Sequence, residues 1–189
     1  MSDTVNIIAI SGKSGCGNTS VSKLVAQKLG FSCLNYTLRN LANELSMPLN
    51  ELLEKAKYDY SFDHLLDTKQ KELAHQSNSV IGSRLAIWLF PEAVLRVYLY
   101  ADLETRAKRI HQREKTSDYE TIKNETHNRD SNDYERFKRI YNIDNNHYEF
   151  VDLIINTMYY TPEAIADIIT NAYNIAVLEK FGGKDAERT

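Results

Sequence analysis

The chain has 189 residues, of which 42% are hydrophobic and 26% charged, a composition typical of one globular domain with a sizeable core. A formal net charge of -3 argues against a general nucleic-acid-binding surface, so an anion site has to be built from locally clustered basic residues. Two cysteines exclude a disulfide framework. Since the sequence has neither a cleavable signal nor an apolar run that would span a bilayer, we expect a cytoplasmic protein that binds neither membrane nor nucleic acid.

Strand and helix patterns alternate along the chain. An apolar run at residues 5–10 predicts a buried strand, and apolar residues at helical spacing follow it from Val21 to Leu29. Further strands are predicted at residues 31–34, 79–81, 94–100 and 153–156. Further helices are predicted at residues 38–45, 49–57, 62–76, 103–114, 121–141 and 162–178. Strands separated by helices imply an α/β fold in which helices cover both faces of a parallel sheet.

The first strand-to-helix connection carries a glycine-rich motif. It is formed by Gly12, Lys13, Ser14, Gly15, Cys16, Gly17, Asn18, Thr19 and Ser20. In a phosphate-binding loop of this kind, backbone N–H groups and the helix N-terminus hold the phosphates of a nucleotide, and a Ser or Thr hydroxyl holds Mg2+. We therefore predict that these nine residues bind ATP and that Thr19 is a metal ligand. The alternative is a glycine-rich turn that binds nothing.

Asn18 stands where the loop motif has its lysine. An amide donates hydrogen bonds but has no charge to offset the negative charge that develops in the transition state. Catalysis therefore needs another cation. Lys13, one residue after the first glycine, is the nearest candidate.

A second basic cluster lies in the polar helical sequence after residue 100. It contains Arg106, Arg109, Arg113, Arg129, Arg136 and Arg139. The first three are three and four residues apart, which places them on one helix face that is expected to converge on phosphates. We predict catalytic roles for Arg109, Arg113 and Arg129. The alternative for any one arginine is a solvated helix with ion pairs to Glu104, Glu114 or Asp130.

Taken in order, these motifs resemble the nucleoside monophosphate kinases, and most closely the archaeal-type cytidylate kinases, over about residues 6–170. The loop and its flanking strand and helix are similar to the start of that family. The further matching segments are Arg39-Asn40-Leu41-Ala42, the acidic residues Asp59, Asp63 and Asp67, Arg84-Leu85-Ala86 with Trp88, the arginine-bearing helix at 103–114, Arg129 with Arg136 seven residues later, Tyr141-Asn142-Ile143-Asp144, and residues 152–157.

The resemblance implies a three-layer P-loop kinase fold that transfers the γ-phosphoryl group of ATP to CMP or dCMP with Mg2+. It implies an acceptor-binding region at about residues 37–76 and a lid at about residues 115–141, within a single domain of residues 1–180. Residues 181–189 are expected to form a flexible tail, and a monomer is favoured. The residues implied to bind the acceptor are Arg39, Asp63, Arg84 and Arg136.

Two departures from the family pattern affect the catalytic loop region. Asn18 replaces the lysine, and Gly82-Ser83 stands where the family has Glu-Gly, so an acidic group near the metal is also missing. Two alternatives remain open. One is a kinase of the same fold that acts on another small acceptor, and the other is a catalytically inactive protein that senses nucleotide.

Overall fold

The computed structural model describes residues 5–115 and 117–179, and a single parallel sheet forms its centre. The strands are β1 (Ile7–Ser11), β2 (Ser32–Leu34), β3 (Ser79–Gly82), β4 (Leu95–Tyr100) and β5 (Leu153–Asn156). Their order in the sheet is β2-β3-β1-β4-β5, and every neighbouring pair is parallel. The prediction of a parallel sheet is confirmed, and its strands lie within one or two residues of the predicted bounds.

Eight helices connect and cover the strands within the described part of the chain. They are α1 (Asn18–Leu29), α2 (Leu38–Glu44), α3 (Leu49–Lys55), α4 (Ser61–Ala74), α5 (Ala86–Leu89), α6 (Leu103–Glu114), α7 (Tyr119–Tyr141) and α8 (Pro162–Val177). Short polar side chains begin the three last helices: Asp102, Asp118 and Thr161 each accept a hydrogen bond from a backbone N–H in the first turn. The four-residue helix α5 is missing from the sequence prediction.

The strands are apolar along their whole length because both faces of the sheet are covered. Ile8 and Ile10 of β1 point into a core that α1 and α8 complete, whereas Ile7 and Ala9 point into a second core on the opposite face. This is the predicted three-layer arrangement. None of the described helices is long and apolar enough to cross a membrane.

The segment α2 to α4 has a small core of its own, which the polar sequence of this region conceals. Leu41, Ala42, Leu52 and Ala56 are each at most 2% exposed and pack together. In contrast, α7 buries only three of its 23 residues. The predicted acceptor-binding region therefore packs around a small core of its own. The helix α7 is held mainly by polar contacts. The tail predicted at residues 181–189 lies outside the described residues.

Candidate active site

The glycine-rich loop lies at the C-terminal edge of the sheet, between the end of β1 and the start of α1. Gly15 has a φ of +88°, and a Cβ added to it would come within 2.9 Å of the Cβ of Arg106 on α6. Glycine is required there because the backbone is left-handed and α6 packs directly against it. Cys16 is buried, and burial raises the pKa of its thiol to about 11, so it fills space in the loop.

The side chain of Asn18 is tied to the loop that carries it. Its Nδ2 donates to the backbone oxygen of Gly12 at 2.6 Å, and its Oδ1 is buried and accepts no hydrogen bond from the described residues. The amide thus closes the loop on itself. Its Nδ2 has a second N–H donor but carries no positive charge, which is consistent with the expectation that Asn18 does not replace the missing lysine.

Lys13 extends from the loop toward the segment that follows α7. Its Nζ donates to Asn146 Oδ1 at 2.9 Å, and both side chains are solvent-accessible. Lys13 also lines the cleft described below. The ammonium group therefore lies beside the loop on an exposed contact, rather than folded back over the loop as the sequence hypothesis pictured it.

Arg106 departs from the predicted convergence of three arginines on one face. Its side chain is 5% exposed and pairs with Asp130 of α7 through two hydrogen bonds, of 3.1 and 2.6 Å. It also donates to the backbone oxygens of Ser14 and Ala101. The ion-pair alternative named the right partner, Asp130, but the pair is buried and not solvated, and the guanidinium fixes the loop, α6 and α7 to one another.

Arg109, Arg113 and Arg129 lie around the same loop but in three different environments. Arg109 donates to the hydroxyl and backbone oxygen of Thr157 and approaches the Gly15 oxygen at 3.5 Å. Arg129 donates to Ser14 Oγ at 3.2 Å. Arg113 lines the cleft with its side chain 64% exposed, and its only ion pair within the described residues is with Glu114.

The four predicted acceptor residues also line this cleft, and three of them are paired. Arg136 of α7 bonds to Asp63 of α4 at 2.6 Å and to the backbone oxygen of Ala56, which links α7 to the acceptor region. Arg84, which follows β3, pairs with Asp133, a carboxyl whose pKa burial raises. Arg39 forms no ion pair with any described residue.

Gly82 stands at the end of β3 where the family pattern has an acidic residue, and this structure has no room for a side chain there. A Cβ added to Gly82 would lie 2.2 Å from Ser22 Oγ and 3.1 Å from the Asn18 backbone oxygen. Ser22 of α1 is 1% exposed and occupies the space that a side chain at position 82 requires. The two departures from the family, at residues 18 and 82, are therefore neighbours in space.

Arg109, Arg113 and the four predicted acceptor residues line one cleft of about 1370 Å3 between the loop and the acceptor region, whereas Arg106 and Arg129 are not part of its lining. Seven lysine and arginine side chains line it against four carboxylates, although the whole chain has a net charge of -3. The predicted ATP-binding residues 13–20 are all part of its wall, and Gly12 borders a small cavity behind it. Such a local excess of positive charge suits a ligand with several phosphate groups.

Thr19 is the second residue of α1, and it is exposed and lines the cleft. No group of three or more Asp, Glu, His or Cys side chains that would hold a metal by itself occurs in the described residues. That composition fits Mg2+ bound to nucleotide phosphates, because this ion commonly takes only one or two protein ligands and completes its shell with phosphate oxygens and water.

Sequence reasoning missed two polar residues at the cleft, Asp133 and Gln70. Asp133 holds Arg84, as Asp130 holds Arg106. Gln70 is 8% exposed and lies on the same face of α4 as Asp63 and Asp67, since these positions are spaced by four and three residues. A stripe of polar residues on the inward face of a helix was the available signal.

Comparison with known proteins agrees with this geometry. Residues 7–159 match the model of the cytidylate kinase-like family. "Cytidylate kinase 2" of Borreliella burgdorferi is 40% identical over 92% of this chain and 98% of its own length, and "Cytidylate kinase" of Archaeoglobus fulgidus is 35% identical over 89% and 94%.

Solved structures with the same fold include a shikimate kinase from Bacteroides thetaiotaomicron, with a TM-score of 0.61, 15% identity and coverage of 90% of this chain and 98% of that one. A deoxyadenosine kinase from M. mycoides has a TM-score of 0.54, 17% identity and coverage of 90% and 100%. These likenesses show the P-loop kinase fold. The family match over residues 7–159 and the relatives of 35–40% identity show that this chain belongs to the cytidylate kinase-like family.

Proposed function

We propose that this protein transfers the γ-phosphoryl group of ATP to CMP or dCMP, with Mg2+ bound to the nucleotide. The observation that carries the proposal is the single cleft, in which the phosphate-binding loop faces arginines of the predicted acceptor site. Relatives named cytidylate kinase, which are 35–40% identical over most of the chain, support the choice of acceptor.

On the donor side, the backbone N–H groups of residues 12–20 and the N-terminus of α1 would hold the ATP phosphates. Thr19 is the side chain placed to ligate Mg2+, which when bound would neutralise charge on the β- and γ-phosphates. Arg109 and Arg129 bond to loop atoms, Lys13 belongs to the loop and extends toward Asn146, and Arg113 borders the cleft. We assign to these four cations the charge stabilisation that Asn18 does not supply.

On the acceptor side, Arg39 and Arg84 are the side chains we assign to the nucleotide phosphate, with Asp63 and Arg136 beside them. Arg84 pairs with Asp133, whose side chain is 15% exposed, but the Arg84 side chain is 46% exposed and lines the cleft, where a phosphate can reach it. A phosphate monoester loses its second proton near pH 6. The attacking oxygen is thus already ionised, and positioning plus electrostatics suffice without a general base.

A second candidate function follows from the bond between Asn18 and Gly12. With the amide tied to the loop, the protein would bind nucleotide and turn it over very slowly, as a nucleotide sensor. A kinase with another small acceptor is the remaining alternative from the sequence.

A coupled assay separates these functions when purified protein and ATP are offered CMP, dCMP, UMP, AMP and shikimate. We expect CMP and dCMP to react fastest. Arg84→Ala should raise the KM for CMP by about 10- to 150-fold, the loss of one charge-assisted contact of about 1.5–3 kcal/mol, while the KM for ATP changes little. Arg139→Ala on α7, outside the cleft, is the matched control. Faster phosphorylation of AMP, UMP or shikimate refutes the acceptor assignment, and ATP binding without any turnover supports the sensor.

A further inference from the structure

One part of the cleft wall presents polar side chains without positive charge. It is formed by the inward face of α4, the last residue of α7 and the segment before α2, and it contains Tyr36, Asp67, Gln70 and Tyr141. None of these side chains is cationic. Within the described residues, this wall therefore offers amide, carboxyl and hydroxyl groups for hydrogen bonding. We infer what they bind, and the inference rests on the proposed acceptor.

Gln70 presents a buried hydrogen-bond acceptor without a donor. Its Nε2 donates to the backbone oxygen of Tyr36 at 2.8 Å, which fixes the orientation of the amide. Its Oε1 is buried and receives no hydrogen bond from the described residues. A buried polar atom that stays unpaired is costly, and natural proteins leave few of them. The carbonyl of Gln70 therefore indicates a ligand that brings a donor.

Asp67 lies one helical turn before Gln70 and supplies a second acceptor. Its Oδ2 accepts a hydrogen bond from the Tyr141 hydroxyl, while no described residue donates to its Oδ1. Tyr141 is itself held by this bond, so its hydroxyl proton is not available to a ligand. The wall thus faces the cleft with two oxygen acceptors on one face of α4, of which Gln70 Oε1 is buried and lacks a donor among the described residues.

The pyrimidine bases differ in the group that such a wall would meet. Cytosine has an exocyclic amino group at C4 with two N–H donors, whereas uracil has a carbonyl oxygen at that position. Two acceptors match the amino group and repel the carbonyl. We propose that Gln70 Oε1 and Asp67 Oδ1 accept hydrogen bonds from the exocyclic amino group of the acceptor base and thereby select cytosine over uracil.

The test is the ratio of kcat/KM for CMP to that for UMP. We expect Gln70→Leu to lower this ratio at least about tenfold, mainly through loss of activity with CMP, because one hydrogen bond that discriminates is removed. Gln27→Leu, the same change at an exposed position of α1 outside the cleft, should leave the ratio unchanged. A purely structural role of Gln70 would lower activity with both nucleotides and leave their ratio as it is.

Asp67→Asn is the second variant, and it is informative even when Gln70→Leu does not fold. Its amide can turn an N–H toward the uracil carbonyl, so the ratio should again fall about tenfold, now with a gain of activity on UMP. A CMP to UMP ratio within about twofold of wild type in every folded variant overturns the inference and leaves the proposed function standing.

Failure of the proposed function is distinguishable from failure of this inference. When the wild-type protein turns over neither nucleotide, the same ratio is measured as the Kd for UMP divided by that for CMP by isothermal titration. A preference for CMP that Gln70→Leu removes supports the base-reading wall even in an inactive protein. The absence of any preference for CMP in the wild type refutes it.

Discussion

Lys13 provides the sharpest test of how this loop works without its lysine. Its one side-chain hydrogen bond in the described structure, 2.9 Å to Asn146 Oδ1, lies at the protein surface. Such a bond contributes about 0.5–1.5 kcal/mol to stability. Removal of a preorganised donor to the transition state instead raises the barrier by about 2.7–4 kcal/mol, which is a factor of 10^2–10^3 in kcat.

These two magnitudes separate a structural from a catalytic role. We expect Lys13→Ala to lower kcat with CMP by about two to three orders of magnitude, while the free energy of unfolding changes by no more than about 1.5 kcal/mol. The measurements are a coupled kinase assay and urea denaturation. Asn146→Ala removes the surface contact and keeps the charge, so its kcat should stay within about fivefold of wild type.

Controls for the lysine experiment come from the same region. Lys23→Ala, an exposed lysine on α1 outside the cleft, should leave both quantities at wild-type values. Lys13→Arg keeps the charge in a different shape and should recover part of the lost activity. A Lys13→Ala protein with kcat within about tenfold of wild type contradicts this reasoning and transfers the role to Arg109, Arg113 or Arg129.

Three further predictions concern stability. Arg106→Ala should lower the free energy of unfolding by about 3–5 kcal/mol, because it leaves the paired carboxylate buried and alone, whereas Arg113→Ala should change it by less than about 1 kcal/mol; equal losses in urea denaturation contradict this. Gly82→Ala should lower the free energy of unfolding by about 1–3 kcal/mol, because the added methyl group overpacks against Ser22. A thermal unfolding midpoint at or above that of wild type would show that α1 moves aside without cost. Burial raises the pKa of the Asp67 carboxyl, so the fold favours its protonated form. The resulting contribution to stability is fully present below the unfolded-state pKa and is lost as the pH rises through the folded-state pKa. Relative to wild type, Asp67→Asn should therefore gain stability as the pH rises above about 4, and a difference independent of pH refutes the sign.

The sequence predicts the elements of this fold well because each one carries a local signal. The apolar run of β1 marks a strand with both faces covered, and the glycines after it mark the turn into α1. The helix α6 and the strand β5 have the predicted bounds. The helix α5 escapes prediction because four residues make a single turn, too short for any periodicity to appear.

The candidate site likewise has features that the sequence predicts and features that it does not. Motif spacing identifies the loop and most of the cationic residues around the cleft, because residue type and order are properties of the chain. The ion-pair partners of these residues cannot be deduced from their order in the chain. Helical spacing groups Arg106 with Arg109, yet the pair with Asp130 makes Arg106 a buried structural residue. Gln70 carried no motif at all. Its role rests on the orientation that the Tyr36 backbone imposes on its amide.

By itself the sequence determined the P-loop kinase fold, the place of the phosphate-binding loop and the family, since these depend on periodicity, glycine positions and the order of motifs. The tertiary structure alone decided which charges remain available in the cleft. An arginine's function depends on whether a carboxylate from a distant helix is close enough to neutralise it, and on whether burial strengthens that pair. Distances of this kind arise only when α6 and α7 pack, so Arg106 and Arg113, seven residues apart on one helix, end in opposite environments.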